Sequence, residues 1–152
     1  MTDQITKSDE ALMRRCIALA RIARQRGDAP VGALITRDGQ VVAEASERVD
    51  SELDVAGHAE VVAVRRACQT LGTLDLSGCV LYTSAEPCLM CSFAIRQTGI
   101  GRVVFGAEVP AVGGVTSRYP ILVATDIPGW PAPPAISDGV LQDECAALFA
   151  PE

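Results

Sequence analysis

From Ser8 onward the chain places apolar residues at Leu12, Cys16, Leu19, Ala20 and Ala23, an i, i+4, i+7, i+8, i+11 stripe. That spacing gathers all five on one face of a helix, which Ser8-Asp9-Glu10 can open and Gly27 can close. Residues 31–35 and 41–43 then flank Asp38-Gly39, a dipeptide that tolerates positive φ, so a hairpin of two antiparallel strands is expected. Helical spacing returns with Val61, Val64, Cys68 and Leu71, in a segment that starts at His58 and turns Arg65, Arg66 and Gln69 outward. Residues 79–83 read as a buried strand, 87–98 as a helix and 102–106 as another strand. Strand, helix and strand in that order imply a parallel pair joined by a crossover. Beyond Gly106 the pattern fades: 119–124 suits one more strand, and the proline-rich 128–134 is loop. A last helix is expected after Ser137-Asp138, with Leu141, Cys145, Leu148 and Phe149 on its apolar face. No repeat, low-complexity tract or linker interrupts the 152 residues, so 1–152 is expected to be one domain, an α/β sheet with helices on both faces.

Composition narrows the classes of function. Apolar residues make up 49% and charged residues 21%, an ordinary globular balance. A net charge of −6 argues against a polyanion as main partner, because nucleic-acid affinity comes largely from Lys and Arg neutralising phosphates. The arginines at 14, 15, 21, 24 and 26 crowd the first helix, and a solvated helix face is the simpler reading of them. No stretch reaches the roughly 18 apolar residues of a membrane span, and the start lacks a basic-then-apolar leader, so a cytoplasmic protein is expected. Six cysteines in that setting point to metal or free thiols rather than disulfides. Cys16, Cys68, Cys79 and Cys145 sit within apolar patterns and read as buried small hydrophobes.

The remaining two cysteines carry chemistry. In Pro87-Cys88-Leu89-Met90-Cys91, cysteines three apart share one helix face, and Pro87 suits the first helical position. Both sulfurs then lie at the positive end of the helix dipole, which lowers thiol pKa and favours the thiolates that zinc needs. His58 and Glu60 are two apart, and on a helix interior they would diverge. They share a site only in a first turn whose end points at the metal. His58, Cys88 and Cys91 would leave one zinc position open for water, the mark of a catalytic site, with Glu60 the carboxylate able to take the proton. His58 is the only histidine, so a Ser-His or Cys-His nucleophile would have to borrow it. Gly99-Ile100-Gly101 lacks the third glycine of a dinucleotide fingerprint. A zinc-stabilised interaction module without catalysis is the rival of another class, and an intact Glu60 counts against it.

His-x-Glu followed by Pro-Cys-x-x-Cys is the zinc deaminase signature. The chain resembles the cytidine deaminase superfamily, in the branch of bacterial tRNA adenosine deaminases and guanine and cytosine deaminases. Residues 58–61 and 81–91 look like its two zinc motifs, 29–33 like its substrate-floor segment, 100–107 like its following strand and 139–148 like its closing helix. The resemblance implies a three-layer α/β/α fold with a five-stranded mixed sheet, a homodimer, one Zn2+ per chain, and hydrolysis of an exocyclic amine on a heterocycle. It implies that Glu60 relays protons and that the carbonyl of Glu86 holds the leaving amine, while the Glu86 side chain either takes part or only shapes the loop. Val31, Glu47, Ala59, Glu86 and Trp130 are the expected substrate contacts. Trp130 either covers a planar substrate or packs against a dimer partner.

One departure stands out. The family reads the base with an Asn eleven residues before the zinc His; here that position is Glu47, and the chain contains no Asn. An ionised Glu only accepts, so Glu47 in the pocket would favour a ring N–H or amino group and count against adenine. Its alternative is a solvated strand-end charge. Gly57, where Ala usually precedes the His, would widen the pocket mouth. The ending Phe149-Ala150-Pro151-Glu152 lacks the basic groups of the tRNA enzymes. The expected substrate is therefore a small amino-heterocycle, such as a nucleobase, nucleoside, pterin or triazine. A tRNA adenosine deaminase forming inosine is the alternative.

Overall fold

The computed structural model describes residues 4–151. Its first helix, α1 (Lys7–Gln25), starts earlier than the apolar stripe suggests, because Thr6 caps it. The Thr6 hydroxyl accepts from Asp9 N at 3.1 Å and the Asp9 carboxylate accepts from Thr6 N at 2.9 Å, satisfying two N–H groups reciprocally. Strands β1 (Gly32–Arg37) and β2 (Gln40–Ser46) follow as the expected hairpin. Asp38 and Gly39 both take positive φ, 51° and 77°, which matches the twist of the flanking strands. Gly32 is required for packing: a Cβ there would strike Cys16 O, Ala20 N and Leu19 Cβ of α1.

A short α2 (Val49–Glu52) leads to α3 (Ala59–Leu71). Its buried face is Ala59, Val62, Ala63, Val64 and Ala67, together with Glu60, while Val61, Cys68 and Leu71 are only half-buried. Alanines let the helix lie close on β1 and β2, so the larger apolar residues mark its flank rather than its centre. Next come β3 (Cys79–Ala85), α4 (Leu89–Thr98) and β4 (Arg102–Ala107), and β3 and β4 pair in parallel across α4 as expected.

The fifth strand lies elsewhere than the sequence indicated. Residues 119–124 are irregular with a turn at 121–123, and Leu122 N donates to Gly114 O at 3.0 Å, so its backbone serves a loop instead of a ladder. The strand is β5 (Ala135–Ser137), parallel to β4. Ser137 therefore does not cap the last helix; α5 (Gln142–Ala147) starts after Leu141, and Phe149 is exposed.

Sheet order is β2-β1-β3-β4-β5, a mixed five-stranded sheet. Strand alternation sorts its side chains into two cores. Ala33, Ile35, Leu81, Val103 and Phe105 face α3 and α4, while Leu34, Tyr82 and Val104 face α1 and Cys145 of α5. The result is the three-layer α/β/α arrangement. Asp9 ties the second layer together: Arg102 donates to both of its oxygens at 3.0 Å and Tyr82 donates at 2.7 Å. Among the described residues no helix is long and apolar enough to cross a membrane.

Candidate metal centre and active site

Two helix N-termini meet beyond the ends of the central strands. His58 caps α3 with extended backbone, and Cys88 caps α4 in the same way, with Cys91 in the first turn. The Nδ1 of His58 lies 3.4 Å from Cys88 Sγ and 3.4 Å from Cys91 Sγ, and the sulfurs are 3.6 Å apart. A tetrahedral zinc with ordinary bond lengths requires N–S edges of about 3.6 Å and an S–S edge of about 3.8 Å. The triad therefore fits, and His58, Cys88 and Cys91 lie close enough to hold one zinc ion.

Electrostatics agrees with the geometry. The hydrogen bond shared with Cys91, and then His58, hold the Cys88 thiol down to about 4, against the push of burial. Cys91 is driven the other way by the proton it shares with Cys88 and by its burial. The bond to Cys88 raises His58 to about 9, helped by Glu60 and Glu47. Zinc binding to such a set displaces protons.

Glu60 stands in the first turn of α3, only 4% exposed. Burial pushes its carboxyl up to about 8, with Cys88 acting the same way and His58 opposing; a divalent cation in the triad acts against that shift. Glu47 is no solvated strand end. It is 7% exposed, its N–H donates to Val31 O at 3.0 Å, and its carbonyl accepts from Arg26 Nη2 at 2.9 Å. Burial raises the Glu47 carboxyl, His58 opposes this, and Glu47 in turn shifts both His58 and Glu60.

Val31 and Ala59 are buried, Val31 just before β1 and Ala59 at the start of α3. The Glu86 carboxylate is committed to a loop: it accepts from Val109 N, Val115 N and Thr116 N at 2.8, 2.8 and 2.7 Å and from Thr116 Oγ1 at 2.6 Å. Trp130 packs against α4. Its ring meets Phe93 edge-on at 5.8 Å and lies 4.9 Å from the Arg96 guanidinium. Both residues sit about 140–200° around α4 from Cys91, so Trp130 packs on the far side of the helix, within its own chain. Sequence reasoning missed Arg96, wholly buried, and Gly113, whose backbone pairs with Cys88. A charge in an otherwise apolar helix and a Gly-Gly pair were the available signals.

Comparison with known proteins agrees. Residues 6–107 match the cytidine and deoxycytidylate deaminase zinc-binding region. The tRNA-specific adenosine deaminase of Bacillus subtilis is 33% identical over 142 residues, covering 93% of this chain and 86% of that protein. Guanine deaminase of the same organism is 41% identical over 100 residues, 65% of this chain and 64% of that one. A structure from a study of A-to-I editing by tRNA:A34 deaminases superposes with TM-score 0.84 at 34% identity, covering 90% of this chain and 97% of that one. With its metal triad set at two converging helix ends, and with this likeness running over most of its length, the chain belongs to the cytidine and deoxycytidylate deaminase family of zinc-binding deaminases.

Proposed function

We propose that this chain hydrolyses the exocyclic amine of a small amino-heterocycle, releasing ammonia, and selects rings whose edge offers N–H or amino donors. Glu47 carries the reading: a buried carboxylate, close enough to shift His58 and Glu60, in a chain without Asn. An ionised carboxylate pairs with donors and repels the ring acceptors of adenine. The likeness to guanine deaminase supports the same class, since guanine presents such donors.

His58, Cys88 and Cys91 hold the metal, which when bound supplies a Lewis acid that lowers the pKa of water to about 7. Glu60 is the proton relay: its carboxylate takes one proton from the attacking water and gives it to the ring nitrogen, then moves the second from the added hydroxyl to the amine, which departs as ammonia while the ring carbon keeps the oxygen as a carbonyl. The carbonyl of Glu86 accepts from that amine, while its carboxylate stays with the loop. Val31 and Ala59 provide the floor on which the ring lies.

Ammonia release is to be measured across free bases, nucleosides, pterins and triazines, alongside inosine formation in a tRNA anticodon stem. Turnover of at least one free ring is expected; activity confined to the RNA would sink the proposal. Glu60→Gln is expected to keep its zinc and lose about 10²–10⁴ in kcat, and an undiminished kcat would remove Glu60 from the chemistry. Inosine formation in tRNA is the second reading, favoured by the 33% identity to a tRNA-specific adenosine deaminase. The net charge of −6 weighs against it.

A further inference from the structure

Between β4 and β5 the chain runs from 108 to 134 without helix or strand. Loops of that length inside a compact domain are uncommon and usually functional. This one is fastened at two points, and both belong to the metal-binding turn and helix.

The first is the turn itself. Gly113 forms an isolated antiparallel bridge with the ligand Cys88, and Gly114 N donates to Pro87 O at 2.8 Å. The Glu86 carboxylate gathers the N–H groups of Val109, Val115 and Thr116. A Cβ on Gly113 would run into that carboxylate, and one on Gly114 into Ser92 Oγ and Leu122 Cβ. The loop thus lies as near the ligand turn as bare backbone allows.

The second point is Arg96, 2% exposed. Its Nη1 donates to the carbonyls of Ile121, Leu122 and Ala124 at 2.8, 3.3 and 2.9 Å, and its Nη2 to Pro131 O at 2.8 Å. Trp130 covers the guanidinium. Leu122, fully buried, returns its N–H to Gly114 O at 3.0 Å. A continuous path therefore leads from Arg96 through Leu122 and Gly114 to Pro87 and Cys88.

We propose that Arg96 is a positioning residue of the active site: by holding 121–131 it keeps 113–116 against Cys88, making that loop the wall that grips the substrate ring. The assignment of a substrate to this wall rests on the deaminase reading above. A planar guanidinium that serves four carbonyls and stacks on an indole cannot be replaced by the three donors of a Lys. Arg96→Lys should therefore be only a partial substitute.

The test compares Arg96→Met, Arg96→Lys and Gly114→Ala with the wild type, all loaded with zinc and, separately, with cobalt. Arg96→Met and Gly114→Ala are expected to keep one metal per chain and raise KM about tenfold with kcat within about twofold, a loosened grip rather than lost chemistry. Their cobalt absorption bands are expected to move, because the backbone pairing of Cys88 relaxes, and Arg96→Lys is expected to fall between them and the wild type. Variants that merely melt earlier, with wild-type KM and cobalt spectrum, would overturn the proposal. Should Arg96→Met not fold, Arg96→Lys decides by the same two readouts, a wild-type KM and spectrum counting against. Should the wild type deaminate nothing on the panel, the deaminase reading fails by itself, and the cobalt spectra still decide whether Arg96 positions the ligand turn.

Discussion

An asparagine amide brings a donor and an acceptor to a ring edge, whereas an ionised carboxylate brings acceptors alone, the part proposed for the buried Glu47. Glu47→Asn is therefore expected to turn relative kcat/KM toward rings with an acceptor at that edge by about ten- to a hundredfold, since one unpaired buried polar group costs about 1–3 kcal/mol. The wild-type panel measures this, and an unchanged ranking would take Glu47 out of recognition. His58, Cys88 and Cys91 were legible through two local marks at helix starts, His-x-Glu and Cys-x-x-Cys, although His58 meets the cysteines across 30 and 33 residues. For the Glu86 side chain the sequence leaves catalysis and loop shaping open, and it gives no sign of the part Arg96 plays. The partners of the Glu86 carboxylate lie 23, 29 and 30 residues away, and those of Arg96 lie 25 to 35 away. Neither residue carries a local mark of where its hydrogen bonds go. For the same reason the sequence leaves Trp130 between covering a substrate and packing, and the structure sets its ring against Phe93 and Arg96, on the far side of α4 from Cys91.

Elements were recovered in kind more reliably than in facing. Periodicity found α3, yet weighting by large apolar residues turned it about one position away from its alanine face. An apolar run around Leu122 resembled a strand, but Pro120 interrupts it, and its buried leucine belongs to the loop that Arg96 holds. The three residues of β5 are too few to leave a pattern of their own. Asp9 shows how distant elements are joined: burial pushes its carboxyl up, but hydrogen bonds from Arg102, Thr6 and Tyr82 outweigh this and hold it well below the usual carboxylate range. Because its folded pKa is depressed, the stabilisation is complete above the ordinary Asp value of about 3.9 and is lost as pH falls toward the folded one. Asp9→Asn is expected to lower stability by about 1–3 kcal/mol at pH 7, where the half-buried Arg102 loses its carboxylate partner and keeps the Ser137 hydroxyl, and to flatten the fall below pH 4. Urea titrations between pH 7 and pH 3 check both, and an acid limb as steep as that of the wild type would clear Asp9 of the role.

For the whole molecule, the site is a junction. Two helices on the same face of the sheet point their positive ends at one place beyond the strands, where thiolates are favoured. Metal removal is therefore a stability experiment as well as an activity one. Native-state zinc binding at a free concentration a hundredfold above Kd contributes about 2.7 kcal/mol, so chelation should lower Tm by several degrees and zinc should restore it. An unmoved Tm would mean that the triad binds no metal. The sequence by itself marked the zinc ligands His58, Cys88 and Cys91 through two local motifs, and it determined the α/β class and the parallel crossover, because those patterns lie within one or two adjacent elements. Only the tertiary structure decided that Glu47 is buried, that the Glu86 carboxylate serves a loop, that Trp130 packs against Phe93 and Arg96 and that Arg96 fastens 121–131. Those outcomes depend on contacts between segments 20 or more residues apart, whose meeting is set by how helices and loops pack on the sheet rather than by any pattern within them.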